Sequence, residues 1–197
     1  MGKIVVTNHL SLDGVMQAPG RPDEDQRGGF EQGGWAAADN DDVMGKVMGE
    51  GMTDSGSLLL GRRTYESMFS FWPHQTDNPY TDVLDKTQKF VASRTLSEPL
   101  PWQNSTLLDG DATRAVAKLK QETNDDITVL GSGVLVQSLL DHGLVDRLVL
   151  MIHPLLLGAG RRLFRDSGPP TSLRMVDSVT TTKGVMIATY EKATDGR

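Results

Sequence analysis

Three short turns carry the side chains best suited to hold an anion: Gly61-Arg62-Arg63-Thr64, Ser93-Arg94-Thr95 and Gly131-Ser132-Gly133. Each follows an apolar run that reads as a strand, and the first and third lead into helical patterns. Where a helix starts, its first-turn amides point outward without partners, which suits a pyrophosphate. The Thr64 hydroxyl adds a further group. The guanidinium forks of Arg62, Arg63 and Arg94 match a phosphate monoester. Ligands of open α/β sheets bind outside the strand carboxyl ends, where these turns fall, so the chemistry predicted is the binding of a phosphorylated dinucleotide. Taken alone, Gly131 and Gly133 would serve a tight turn equally well. Val136 breaks the pattern G-x-G-x-x-G and no G-x-x-x-x-G-K-[ST] occurs, so neither the common dinucleotide fold nor a P-loop is indicated.

Other chemistries find less support. His9, His74, His142 and His153 are scattered without ligand spacing and read as surface or internally satisfied side chains, so no metal site is expected. The absence of Cys excludes disulfides, thiolate metal sites and a cysteine nucleophile. No G-x-S-x-G elbow occurs. Asp13, in Ser11-Leu12-Asp13-Gly14, is first a turn residue and second a candidate catalytic acid at a cleft. Asp39, Asp41 and Asp42 read as charges at a helix N-terminus rather than proton donors. The Gly- and Pro-rich stretch Pro19–Trp35 is long for an ordered loop, and its aromatics Phe30 and Trp35 mark it as a candidate lid over a substrate.

These residues need a frame to position them, and the 197-residue chain can bury roughly 70% of its unfolded surface, enough for a full core. Strands are predicted over Lys3–Leu10, Ser57–Leu60, Lys89–Ala92, Ile127–Leu130, Val145–Ile152, Leu173–Thr180 and Lys183–Glu191. Helices are predicted over Asp39–Met52, Thr64–Phe71, Ala112–Thr123 and Val134–His142, the last stopped by Gly143. Pro73–Tyr80 reads as a loop. The alternation followed by a β-rich tail predicts an α/β sheet, mostly parallel, with an antiparallel edge. Residues 1–192 read as one domain and Ala193–Arg197 as a frayed tail. Lys and Arg number 20 against 26 Asp and Glu, a net charge of −6, so no broad nucleic-acid or membrane surface is expected and any anion site must be local. No apolar run approaches the ~20 residues of a membrane span and no leader pattern opens the chain, so a cytoplasmic protein is expected.

The segments LLLGRRTYE (Leu58–Glu66), FVASRTL (Phe90–Leu96), ITVLGSGVLVQSLL (Ile127–Leu140) and GLVDRLVLMIHPLLLGAGRRLF (Gly143–Phe164) follow SLDGVM (Ser11–Met16) in order. Together they resemble the dihydrofolate-reductase-like proteins, in particular the stand-alone relatives of the reductase domain of riboflavin biosynthesis (RibD C-terminal type). The resemblance covers nearly the whole chain. It implies a central, mostly parallel sheet of about eight strands flanked by helices, and an NADPH-dependent oxidoreductase. It places the cofactor phosphates at Gly61, Arg62, Arg63 and Thr64, and the adenosine 2′-phosphate at Ser93 and Arg94. It sets the pyrophosphate and nicotinamide side against Gly131, Ser132, Gly133, Val134 and Leu135, with Ser11–Met16 bordering the nicotinamide. The substrate implied is a small planar heterocycle, pteridine- or aminopyrimidine-like, under the loop bearing Phe30 and Trp35. A non-catalytic NADP(H)-binding or sensing module is the alternative. Where riboflavin-pathway reductases carry Glu before the glycine pair this chain has Leu130, which argues against their ribosylaminopyrimidine as substrate. The resemblance also suggests a homodimer, and the apolar run Val145–Leu157 would give a second subunit a face to cover.

Overall fold

The β-branched run near the N-terminus forms β1 (Ile4–Ser11), an inner strand with parallel neighbours on both sides. The computed structural model describes residues 1–54, 56–168 and 170–193. After β1 come α1 (Asp42–Asp54), β2 (Ser57–Gly61), α2 (Arg62–Phe71), α3 (Pro79–Lys86), β3 (Gln88–Ala92), β4 (Ser105–Leu108) and α4 (Ala112–Glu122). The chain closes with β5 (Ile127–Leu130), α5 (Gly133–Asp141), β6 (Arg147–His153), β7 (Leu173–Thr180) and β8 (Met186–Lys192). The eight strands make one sheet in the order β4-β3-β2-β5-β1-β6-β8-β7. The first six in that order run parallel, and β8 is antiparallel to both β6 and β7. This is the mostly parallel α/β sheet with an antiparallel C-terminal edge that the pattern predicted.

Strand alternation sorts the core into two layers. Ile4, Val6, Leu10, Leu59, Ile127, Val129, Leu148 and Leu150 face α4 and α5 through Val116, Val136 and Leu139. On the opposite face Leu58 and Leu60 meet Tyr65 of α2 and Leu84 of α3. Farther along that face Met151 and Ile187 meet Met44 of α1. Both faces of β6 are therefore covered from within the chain, while Leu156, near the end of the apolar run Val145–Leu157, is 72% exposed.

Two elements were not predicted. Helix α3 starts at Pro79 behind Asn78, whose side chain accepts from the Tyr80 amide at 3.0 Å, but only Leu84 of its residues is buried, so little periodicity betrayed it. Strand β4 is a four-residue edge, too short and too exposed to read. The tail expected to fray begins at Ala193, whose amide donates to the Ser172 carbonyl; residues 194–197 lie outside the described residues. Among the described residues no helix is long and apolar enough to cross a membrane.

Candidate functional site

The loops after β2 and β5 are locked to each other. The Gly61 amide donates to Ser132 Oγ at 2.9 Å, and Ser132 Oγ donates on to the Leu130 carbonyl at 2.9 Å. The Ser132 amide donates to Thr64 Oγ1 at 3.0 Å, leaving that hydroxyl's own hydrogen available. Gly131 (φ +55°) and Ser132 (φ +54°) both take the left-handed conformation, which turns the chain straight into α5. A Cβ on Gly131 would stand 3.1 Å from Thr64 Cγ2, and one on Gly133 would stand 2.5 Å from Met16 Sδ. The Ser11–Met16 loop thus lies against this turn. Asn8 of β1 ties the turn from the other side, donating from Nδ2 to the Gly131 carbonyl at 3.1 Å.

Neither α2, which begins directly after Gly61, nor α5, behind Ser132, has a side-chain cap. The other starts are capped: Asp41 takes the Met44 amide of α1, Asn78 the Tyr80 amide of α3, and Asp111 the Arg114 amide of α4. The two open starts lie side by side at strand carboxyl ends. They offer outward-pointing amides and the positive end of two helix dipoles to one anion.

The arginines divide. Arg62 pairs with Glu66 one turn on at 3.1 Å, whereas Arg63 and Arg94 are exposed and make no ion pair with any described residue. Because Gly61 and Ala92 are register partners, Arg63 and Arg94 leave the sheet from adjacent strand ends. Ser93 Oγ accepts from the Thr95 and Leu96 amides and shapes its own turn. Val134 is 72% exposed beside the α5 start, while Leu135 is buried in the core beneath it, so that only Leu135's backbone is placed to reach a ligand.

The Pro19–Trp35 loop is anchored by its own aromatics. Phe30 is 5% exposed, packed with Val15 and Ala18, and correcting its expected place in a substrate slot, it serves as the loop's own core. Trp35 donates from Nε1 to the Gln17 carbonyl at 2.7 Å and sets its edge on the His153 ring, centroids 5.2 Å apart. At the other end Arg21 lies over the Phe71 ring at 4.4 Å and donates to Ser67 Oγ, both on α2. The loop therefore spans from α2 to the end of β6.

Asp13 is spent on tying its own turn to the chain after β6. Its carboxylate accepts from Ser11 Oγ at 2.6 Å and from the Leu157 and Gly158 amides at 3.1 and 2.8 Å. Those bonds, the Ser11 hydroxyl first, hold it down to about 2. Such a group stays ionised and is poorly suited to donate a proton.

Sequence reasoning missed a chain of titratable side chains on the α1 face. His9 Nδ1 lies 2.9 Å from His153 Nε2, and His153 Nδ1 lies 2.7 Å from Asp39 Oδ2. His153 is wholly buried and His9 partly exposed. Asp39 is therefore not a helix-start charge, unlike Asp41, which caps α1 and takes the Thr182 amide and hydroxyl. The available signal was register: His9 and His153 stand near the ends of two adjacent parallel strands, and His9 pairs with Met151, two residues before His153 on the same face. A separate cavity of about 540 Å³, lined in part by Arg147, Leu148, Phe164 and Tyr190, lies at the amino end of β6, away from these groups.

A mostly parallel sheet covered by helices on both faces, with anion-ready turns at its strand ends, is the architecture of the dihydrofolate-reductase-like reductase domains. The chain belongs to the RibD C-terminal domain family, whose model matches residues 2–187. It is 30% identical to the uncharacterized protein YyaP of Bacillus subtilis (strain 168) over 139 residues, 68% of this chain and 72% of that one. A solved structure ascribed to riboflavin biosynthesis, from Shewanella sp. PV-4, is 25% identical with a TM-score of 0.72, covering 97% of this chain and 99% of that one. The fold is shared with a pyrimidine reductase-like protein of Corynebacterium diphtheriae at 14% identity and a TM-score of 0.67, covering 98% and 93%. It is shared also with RibD of Acinetobacter baumannii at 14% identity and a TM-score of 0.63, where 98% of this chain spans 58% of that one.

Proposed function

We propose that this protein is an NADPH-dependent reductase acting on a small planar heterocycle of the pteridine or aminopyrimidine kind. The observation that carries the reading is the pair of uncapped helix starts, α2 and α5, locked side by side through Thr64, Ser132 and Gly61. A dinucleotide fits this cradle: the first-turn amides and the Thr64 hydroxyl take the pyrophosphate, and Gly131 keeps the backbone free of a Cβ there. Arg63 and Arg94, which make no ion pair among the described residues, take the 2′-phosphate. When bound, the cofactor supplies the hydride; the chain supplies orientation, and the loop from α2 to His153 keeps water away. Family membership supports a reductase, and a pyrimidine reductase-like neighbour supports a flat nitrogen heterocycle as acceptor.

Calorimetry with NADPH and NADH, followed by NADPH oxidation against a panel of pteridines and aminopyrimidines, tests the reading. Tighter binding of NADPH and turnover of one member are expected. Equal affinities refute the 2′-phosphate site, and tight binding with no turnover favours an NADP(H)-sensing module.

The reading includes a homodimer. Its support now comes from β7, an edge strand on which Leu173, Met175, Val176 and Val179 are all exposed, rather than from β6. Light scattering giving a mass near 21.5 kDa rejects it.

A further inference from the structure

The chain from Asp39 through His153 to His9 lies beneath the loop and is used by nothing described so far. Its polarity follows from hydrogen-bond bookkeeping. The Asp39 carboxylate can only accept, so His153 Nδ1 carries a proton, and in the neutral ring Nε2 holds a lone pair. That lone pair requires His9 to donate from Nδ1 at 2.9 Å, which leaves His9 Nε2 unprotonated. His9 Nε2 has no partner among the described residues, and it is not one of the buried unpaired atoms, so it opens to solvent. A buried, oriented imidazole chain thus ends in one accessible lone pair.

Its position matches the proposed site. By register Thr7 pairs with Leu130, so Thr7 and His9 share the face that Leu58, Leu60 and α2 occupy. One residue back, Asn8 holds the Gly131 carbonyl. The Pro19–Trp35 loop reaches from Ser67 and Phe71 of α2 to Trp35 on the His153 ring, over the ends of the strands between them.

We propose that His9 is the proton-transferring residue of this site, with His153 and Asp39 as the positioning residues that fix its tautomer. The proposal rests on the reductase reading above. In the reduction of a C=N bond, hydride forms the C–H bond with the electron pair from the reduced nicotinamide. The N–H bond forms as the His9 Nε2–H bond breaks, its electron pair returning to the imidazole. Neutral His9 then regains a proton from solvent. The titratable groups facing His9 and His153 are each other, from β1 and β6, and Asp39, from the turn before α1; Trp35 of the loop is uncharged. Burial first, and then the neighbouring His153, hold His9 down to about 4. At neutral pH Nε2 therefore accepts a hydrogen bond from substrate, and the protonated form is a strong acid present in small amount.

Long-range proton–nitrogen NMR of the histidine-labelled protein tests the relay without any ligand. Both rings are expected as the Nδ1–H tautomer, and Asp39→Asn is expected to abolish the single tautomer. An Nε2–H tautomer at His9 in the wild type overturns the proposal. Turnover supplies the second arm. His9→Gln should lower kcat about 100-fold while the Kd for NADPH stays within about twofold. Wild-type kcat should rise as the pH is lowered from neutrality toward His9's own range, a limb that His9→Gln lacks. A folded His9→Gln variant with undiminished kcat, or a flat wild-type profile, refutes the proton transfer. Failure of the wild type to bind NADPH would break the reductase reading instead, and the tautomer measurement would still decide the relay.

Discussion

The starts of α1, α3 and α4 differ from those of α2 and α5 in one respect that separates scaffold from site. Asp41, Asn78 and Asp111 each accept an amide from the first turn of the helix they precede. Gly61 and Ser132 do not, and the Ser132 hydroxyl is turned away to link the two loops. A good cap is worth about 1 kcal/mol, so two open starts mean stability forgone. Both lie at carboxyl ends of inner strands, and Arg63 in the first turn of α2 and Arg94 after the neighbouring strand β3 make no ion pair with any described residue. In an acidic protein this local excess of unpaired donors is the physical content of the claim that the site binds a phosphorylated cofactor.

The comparison can be broken most forcefully at Gly131. Valine there must hold φ near +55° and press on Thr64, so Gly131→Val should destabilise the fold by about 2 kcal/mol and weaken NADPH binding at least about 100-fold. Thermal unfolding and calorimetry measure the two effects, and intact affinity in a folded variant would detach the turn from the ligand. A control away from the helix starts is His9. Its folded value, about 4, lies below its ordinary value of 6.5, so between the two the unfolded chain binds more protons. Its contribution to stability is complete above pH 6.5 and is lost as the pH falls through about 4. Denaturant titrations at several pH values should show His9→Gln losing less stability than wild type across that window, with NADPH affinity at neutral pH unchanged.

Arg94→Ala should remove most of the preference for NADPH over NADH, about tenfold or more, and leave NADH binding nearly untouched. Competition binding with both nucleotides checks it. The smallest effect is expected on the capped side: Asp111→Ala should cost about 1 kcal/mol of stability with no change in NADPH affinity. A large loss of affinity there would erase the distinction between the two groups of helices.

The sheet and the turns proposed to hold the cofactor were legible because they rest on local signals. Apolar runs such as ITVL end in glycine turns, and the arginines and Thr64 stand beside them in sequence. Helix α3 and strand β4 were illegible because they bury little and so leave no periodicity. Phe30 was read as part of a lid over substrate, and it packs with Val15 and Ala18 in the loop's own core, since nothing local tells which way an aromatic in a loop will point. His9, His153 and Asp39 went unread for a different reason: they are far apart in the chain and meet only through the parallel register of β1 with β6 and the turn before α1. Asp13 and Asp39 look alike in sequence, each beside a turn, yet one is consumed by backbone amides and the other by a buried imidazole.

The most direct test closes one open start. Gly61 has ordinary extended angles (φ −74°, ψ 154°), and a Cβ there would meet Ser132 no closer than 3.6 Å, so the position accepts a side chain. Gly61→Asp places a carboxylate where Asp41 and Asp111 stand before their own helices. Thermal unfolding and NADPH calorimetry on this variant should show stability raised by about 1 kcal/mol and affinity lowered at least about tenfold. Unchanged NADPH affinity in the stabilised variant would contradict the account, because it would mean that the α2 start is not where the cofactor's phosphates bind.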